Sequence, residues 1–353
     1  MADYEALRIR DFDHLEFAVA DLDRAAQLYL RMGFEKLATR ELRERQLRSV
    51  LMGQNGLNIL LSQSTLGTDP VARFVAAHGD GVFSVAFLCD DAVSALEIAA
   101  NRGARVAEAP RGYRKDFGTV QQASIAAFGD VRHTFVSRNG SAFAEGFDSP
   151  VRSAHAGFGL MRIDHITTNV ERGRMNEWAE FYERIFGLRN TRFFDIHTAR
   201  TGLYSKVMQS PDGVLKMPVN EPTEDTSQIQ EFLDVNHGPG VQHVALATQS
   251  IVPTLRQLRR ENLSFLEVPA TYYDEVSKRV PNITESMREL QDLGILVDGS
   301  DKGYLLQIFT QNVVGPFFYE VIQRKGDDGF GEGNFTALFE AIERDQMRRG
   351  VLK

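Results

Sequence analysis

The strongest constraint on this chain is that it repeats itself. Asp-His opens a strand-like run twice, in DHLEFAV from Asp13 and in DHITTNV from Asp164. A helical pattern follows each time. In the second copy Trp178, Phe181, Tyr182, Ile185 and Phe186 fall at helical spacing, with Gly187 placed to end the helix. In the first copy Leu28, Tyr29 and Met32 precede Gly33 in the same way. Further on, GVFSVAFL from Gly81 matches GVQHVALA from Gly240, and each run leads through a helical stretch to a proline, Pro110 or Pro269. The offset is 159 residues from Gly81 to Gly240 and again from Pro110 to Pro269. Constancy over a strand, a helix and a turn marks a duplication.

Each half reads as strand, helix, several strands, and then the same order again. The arrangement resembles the vicinal-oxygen-chelate fold. The expected class is therefore α+β, with two tandem domains, each of paired βαβββ modules forming an open barrel, plus a C-terminal helix. A chain of 353 residues exceeds one ordinary core, which fits two domains. The polar, aperiodic stretch SPVRSAHAGFG from Ser149 places the boundary, giving domains 1–152 and 153–353.

Composition removes several function classes. No apolar run approaches the roughly 20 residues that cross a bilayer, and MADYEALRIRDFDH at the start carries no apolar h-region. A cytoplasmic protein without a membrane span is expected. Cys89 is the only cysteine, so neither an intramolecular disulfide nor a thiolate metal site can form, and any metal must rely on His, Asp and Glu. Net charge is −8 and the positive charges are scattered, so nucleic acid is not an expected partner.

Metal ligands at matched places in the repeat single out the second half. His165 lies in its first strand, His243 in the corresponding strand of the next module, and Glu320 in the apolar run GPFFYEVIQRK. A carboxylate among Phe317, Phe318, Tyr319, Val321 and Ile322 is costly to bury unless something positive compensates it. Two imidazoles and one carboxylate form the facial triad of iron(II) oxygenases, although zinc and manganese remain open on ligand type alone. Around a divalent ion the set carries about +1, which favours an anionic chelating substrate. The first half has His14 at the place of His165 but Ser84 at that of His243, and no acid near RHTFVSR. It reads as a relic that kept the fold and lost the metal. His14 and His133 are expected in the core, and His78, His155, His197 and His237 on the surface.

From Asp164 to about Gly350 the chain resembles the 4-hydroxyphenylpyruvate dioxygenase family. The matching stretches are DHITTNV, KMPVNEP from Lys216, SQIQEF from Ser227, GPGVQHVAL from Gly238, KGYLLQIFT from Lys302, FYEVIQRKG from Phe318 and GFGEGNFTALFEAIE from Gly329. The resemblance implies Fe(II) held by His165, His243 and Glu320. It implies a substrate pocket of Ser205, Pro218, Asn220, Gln228, Gln242, Gln307, Phe309, Phe318, Asn334, Phe335 and Leu338, with Ser205, Asn220, Gln228, Gln242 and Gln307 orienting polar groups. The reaction implied is conversion of 4-hydroxyphenylpyruvate and O2 to homogentisate and CO2 in tyrosine catabolism. A homo-oligomer, dimer or tetramer, is also implied.

Strand alternation supports part of this set, since Gln307 and Phe309 share one face and Phe318 and Glu320 another, whereas Gln242 should face away from His243. Asn334 reads as an N-cap for a helix at about 334–348 with Phe335, Leu338, Phe339 and Ile342 on one stripe; in the family this helix closes over the site. Gly329, Gly331 and Gly333 lack the spacing of a nucleotide loop. Tyr319, Phe317, Thr168 and Thr336 depart from the family's usual residues. Two rivals stand beside this reading. One is hydroxymandelate synthase, which hydroxylates the benzylic carbon of the same substrate. The other is a metal-free ligand-binding protein on the same fold.

Overall fold

In a computed structural model the protein is described over residues 3–148, 155–197, 201–335 and 347. The proposed domain boundary and Leu338, Phe339 and Ile342 lie outside the described residues, as does most of the expected C-terminal helix.

The first half runs β1 (Ile9–Ala18), α1 (Leu22–Arg31), β2 (Glu35–Leu42), β3 (Leu47–Gln54), β4 (Leu57–Ser64), α2 (Pro70–His78), β5 (Gly81–Cys89), α3 (Ala92–Asn101), β6 (Val106–Lys115), β7 (Gly118–Ala126) and β8 (Arg132–Gly140). The second half repeats this as β9 (Leu160–Asn169), α4 (Met175–Phe181), β10 (Arg189–His197), β11 (Gly202–Gln209), β12 (Lys216–Pro222), α5 (Gln228–Val235), β13 (Gly240–Thr248) and α6 (Ile251–Arg260). Short helices α7 (Val276–Arg279) and α8 (Met287–Leu293) intervene before β14 (Leu296–Gly299), β15 (Tyr304–Phe309) and β16 (Phe318–Lys325). The expected βαβββ modules are present in pairs.

Each half makes one sheet of eight strands, ordered β2-β3-β4-β1-β5-β8-β7-β6 and β10-β11-β12-β9-β13-β16-β15-β14. The two modules of a sheet therefore meet along β1 and β5, or β9 and β13, which pair antiparallel. Local sequence explains the helix limits. Asp21 and Asp91 cap α1 and α3 by accepting from backbone N–H groups, and Ser227 does so for α5. Gly33 and Gly187 take left-handed φ of 83° and 73° just past the helices they were expected to end.

The two sheets pack through paired aromatic contacts. The hydroxyls of Tyr29 on α1 and Tyr319 on β16 are 2.9 Å apart, and the rings of Phe17 and Phe317 meet edge on at 5.1 Å. In the reciprocal contact the Tyr182 hydroxyl lies 2.9 Å from His133 Nε2 on β8. Tyr319 and Phe317 thus face the first half. Replacing Tyr29 by Phe leaves the Tyr319 hydroxyl buried without its partner, so we expect a loss of about 1–3 kcal/mol in urea unfolding, largely recovered when Tyr319 is also changed to Phe.

One sequence expectation needs correction here. His78 is buried at 8% exposure rather than on the surface, because Asn236 of the second half covers it and its carbonyl lies 2.7 Å from His78 Nδ1. His155, His197 and His237 are exposed as expected. The helix that Asn334 is expected to cap lies outside the described residues. A short helical turn begins after Gly331 at φ 76°, and the Asn334 side chain accepts from the Tyr272 hydroxyl at 2.5 Å.

Candidate metal centre

Register brings the three ligand candidates to one face. Ala245 on β13 pairs with His165 on one side and with Glu320 on the other. His243 lies two residues from Ala245 and so shares its face. Glu320 Oε2 is 3.3 Å from His165 Nε2 and 3.8 Å from His243 Nε2. One donor atom from each of the three residues lies within 4.8 Å of the others. Among the described residues this is the group of His, Cys, Asp and Glu found placed to hold an ion.

The donors are held by further contacts. His165 Nδ1 lies 3.0 Å from Asp164 Oδ1, and Asp164 accepts two hydrogen bonds from Arg324, at 2.8 and 2.7 Å. Burial alone raises the Asp164 carboxyl, but Arg324 and His165 outweigh it and hold the group well below the usual carboxylate range. His243 Nδ1 lies 2.9 Å from Gln242 Oε1. Both imidazoles thereby turn Nε2 toward Glu320. Burial disfavours protonation of both rings. In His165 the nearby Glu320 and Asp164 reverse this and raise its pKa, whereas in His243 the neighbouring His165 adds to burial and drives it well below the ordinary value.

The donor set fits a divalent cation. Glu320 is 2% exposed, and its Oε1 has no hydrogen-bond partner among the described residues. A buried carboxylate oxygen left bare is costly unless a cation meets it. Outer-shell partners commonly set metal affinity by 10–100-fold. Asp164→Asn, which weakens the grip on His165, is therefore expected to raise the iron(II) dissociation constant by roughly that factor in equilibrium titration.

A cavity of about 70 Å³ opens from the three donors. Of the residues expected in the pocket, Ser205, Pro218, Asn220, Gln228, Gln242, Phe309, Phe318 and Phe335 line it. Ser205 and Asn220 do so as a cross-strand pair of β11 and β12. Gln242 reaches the same side as His243 because the β9–β13 register shifts between Val241 and His243, which breaks simple alternation. Gln307 and Asn334 do not line it. Gln307 pairs with Ile322, two residues beyond the Phe309–Glu320 pair, and its amide is covered by Gly331, where an added Cβ would collide with it. Asn334 is turned toward Tyr272. Sequence reading missed Phe194 and Phe330. The Phe330 ring meets the His165 ring edge on at 5.3 Å. It follows a glycine-aspartate loop with no periodicity, so no pattern pointed to it. Phe318 stacks on His243 at 4.8 Å.

Comparison with known proteins gives concordant relationships. Residues 13–120 and 162–283 each match the glyoxalase/bleomycin resistance protein/dioxygenase superfamily. The 4-hydroxyphenylpyruvate dioxygenase of Pseudomonas aeruginosa is 41% identical over 97% of this chain and 95% of its own length. The enzyme of the same name from Legionella pneumophila strain Corby is 40% identical over 97% of this chain and 96% of its own. Among solved structures, a triple mutant of 4-hydroxymandelate synthase from Streptomyces coelicolor superposes with a TM-score of 0.82 at 31% identity, covering 96% of this chain and 99% of that one.

Proposed function

This chain belongs to the 4-hydroxyphenylpyruvate dioxygenase family, and from that premise we propose that it converts 4-hydroxyphenylpyruvate and O2 to homogentisate and CO2 with Fe(II) held by His165, His243 and Glu320. The observation that carries the reading is the convergence of two imidazole nitrogens on a buried carboxylate whose second oxygen is bare. Iron(II), when bound there, supplies open positions for an α-keto carboxylate and for dioxygen. Ligand chemistry favours it over zinc or manganese only together with the family, so metal analysis after anaerobic loading belongs to the test.

The remaining work falls to the chain. Phe309, Phe318, Phe330 and Phe335 wall the cavity with aromatic surface and exclude water from the reacting carbons. Ser205, Asn220, Gln228 and Gln242 offer the few polar groups that orient the substrate. Asn220 donates to Asn169 at 3.3 Å, which fixes its amide. We assign Gln307 and Asn334 to the layer that backs this wall; Leu338 keeps only the pocket role that the family resemblance implies.

The hydroxymandelate reading has a specific basis in the structural likeness, but the long sequence matches to dioxygenases outweigh it. Homogentisate and 4-hydroxymandelate are isomers, so mass alone does not separate them. Iron-loaded protein is given 4-hydroxyphenylpyruvate under air and the product resolved by chromatography and proton NMR. Homogentisate is expected; 4-hydroxymandelate as the main product would replace the assignment.

We take the chain to act as a homodimer or homotetramer, which light scattering after gel filtration will test. No helix among the described residues is long and apolar enough to cross a membrane, and a cytoplasmic location remains our reading of the composition.

A further inference from the structure

The first sheet carries a cavity of about 430 Å³ at the place that the metal cavity takes in the second. The correspondence holds position by position. His14 pairs with Ala86 as His165 pairs with Ala245. Ser84 pairs with Arg132 as His243 pairs with Phe318, which puts Thr134 at the place of Glu320. The contacts that orient the histidine are duplicated too. His14 Nδ1 lies 2.6 Å from Asp13 Oδ2, and Arg138 grips the same carboxylate at 2.6 and 2.9 Å. His14 is 3% exposed and lines the cavity, and no hydrogen bond among the described residues reaches its Nε2. An oriented imidazole with an unused nitrogen at a cavity wall is a binding feature without a ligand.

A divalent ion does not suit it. Ser84, Thr134 and Ser124 bring neutral hydroxyls, joined in a chain at 2.7 and 2.9 Å, where the second half has an imidazole and a carboxylate. The walls instead carry balanced charge. Arg45 is bound to Asp69 at 2.7 Å, Arg111 lies 3.1 Å from Glu108 and 3.9 Å from Glu145, Arg132 lies 3.6 Å from Glu108, and Arg40 lies 3.8 Å from Glu16. The Arg40 side chain is only 9% exposed. The Arg40–Glu16 and Arg132–Glu108 contacts are beyond hydrogen-bond distance. Arg40 donates through Nε to Ser49 and through Nη1 to the Glu145 carbonyl, Glu16 Oε1 accepts from Ser62, and Glu108 Oε1 lies 3.1 Å from Arg111, so the capacity to spare is at Arg40 Nη2, Glu16 Oε2 and Glu108 Oε2. At the mostly buried Arg40–Glu16 pair, a ligand of one sign would satisfy one partner and leave the other uncompensated. A ligand carrying both signs can enter these loose pairs and turn each into a charge-assisted hydrogen bond.

We propose that this cavity is a second binding site, for a free α-amino acid with an apolar side chain. The carboxylate binds the Arg40 guanidinium, and the ammonium binds the Glu16 and Glu108 carboxylates with His14 Nε2 as a further acceptor. The side chain lies on Phe83, Leu60 and Val120, the apolar part of the wall.

The probe is L-phenylalanine, titrated calorimetrically into the full-length iron-loaded protein, with 3-phenylpropionate and 2-phenylethylamine as competitors that lack one charge each. We expect one molecule bound per chain, and both competitors at least about tenfold weaker. Arg40→Gln should weaken binding about tenfold or more, and Ser84→Phe should set a ring into the cavity beside His14 and abolish it. Turnover at the distant metal site reports that each variant is folded. No binding of L-phenylalanine up to about 10 mM, undiminished binding by folded Ser84→Phe, or a competitor equal to the amino acid overturns the proposal. The competitor arms use the unmodified chain and decide the question even if a variant fails to fold.

Discussion

Changing Glu320 to Gln should abolish turnover while leaving the fold intact. The substitution keeps the side chain's volume and removes its charge, so the buried site loses the one anionic donor among two neutral imidazoles. Loss of an outer-shell partner commonly costs 10–100-fold in metal affinity. A direct ligand should cost more, about 1000-fold or greater in kcat/KM, equivalent to about 4 kcal/mol. Stability should hold or rise, because an uncompensated carboxylate is costly to bury. Oxygen consumption, iron content after anaerobic loading and urea unfolding measure the three effects. A well-folded Glu320→Gln protein with more than about one-tenth of the original kcat/KM would remove Glu320 from the ligand set.

The second large effect concerns acid, and it arises far from the metal donors. His133 is fully buried on β8 with its Nε2 against the Tyr182 hydroxyl and its Nδ1 without a hydrogen-bond partner among the described residues. Burial pushes its pKa down to about 3 from the ordinary 6.5. The folded protein therefore keeps this ring neutral where the unfolded chain already binds a proton. Below pH 6.5 the unfolded state holds more protons, so stability falls as pH falls, and the loss continues to about pH 3 where the folded state also titrates. Between about pH 7 and about pH 4 this single group should remove about 3 kcal/mol. His133→Gln cannot take up that proton. Its unfolding free energy should therefore fall less over the interval, and the difference between the two proteins should narrow by about 3 kcal/mol. Parallel pH profiles for the two proteins would show that the ring is not neutral when folded.

Much of this molecule was readable from residue order, for reasons that can be named. Duplication is a constraint on the whole chain, and matched spacing put His165, His243 and Glu320 at corresponding strands before any geometry was known. Burial of Glu320 followed from its apolar neighbours. What stayed hidden depended on contacts distant in sequence or on local breaks in regularity. Arg324 meets Asp164 across 160 residues, and nothing near either one announces the other. Alternation alone turns Gln242 away from His243, because it assumes an unbroken ladder and the ladder shifts at that residue; its place in the pocket was legible only through the family resemblance. His78 ends a helix in a polar stretch, yet Asn236 of the other half buries it. The charged cavity of the first half was invisible for the same reason. Arg40, Glu16, Arg132 and Glu108 come from four separate strands, and reading that half as a relic followed from the ligands it lacks rather than from what replaced them.

The Tyr29–Tyr319 bridge has a bearing on how such a chain could be divided. Tyr319 precedes Glu320 on one strand, with its ring against Tyr29 of the opposite half and its neighbour Phe317 against Phe17. The strand bearing the carboxylate is thus clamped from behind by the half that bears none of the donors. Severing the gene at the junction would strip that backing and bare a greasy surface, so the donor-bearing half expressed alone should be recovered as an insoluble aggregate, not as a smaller enzyme.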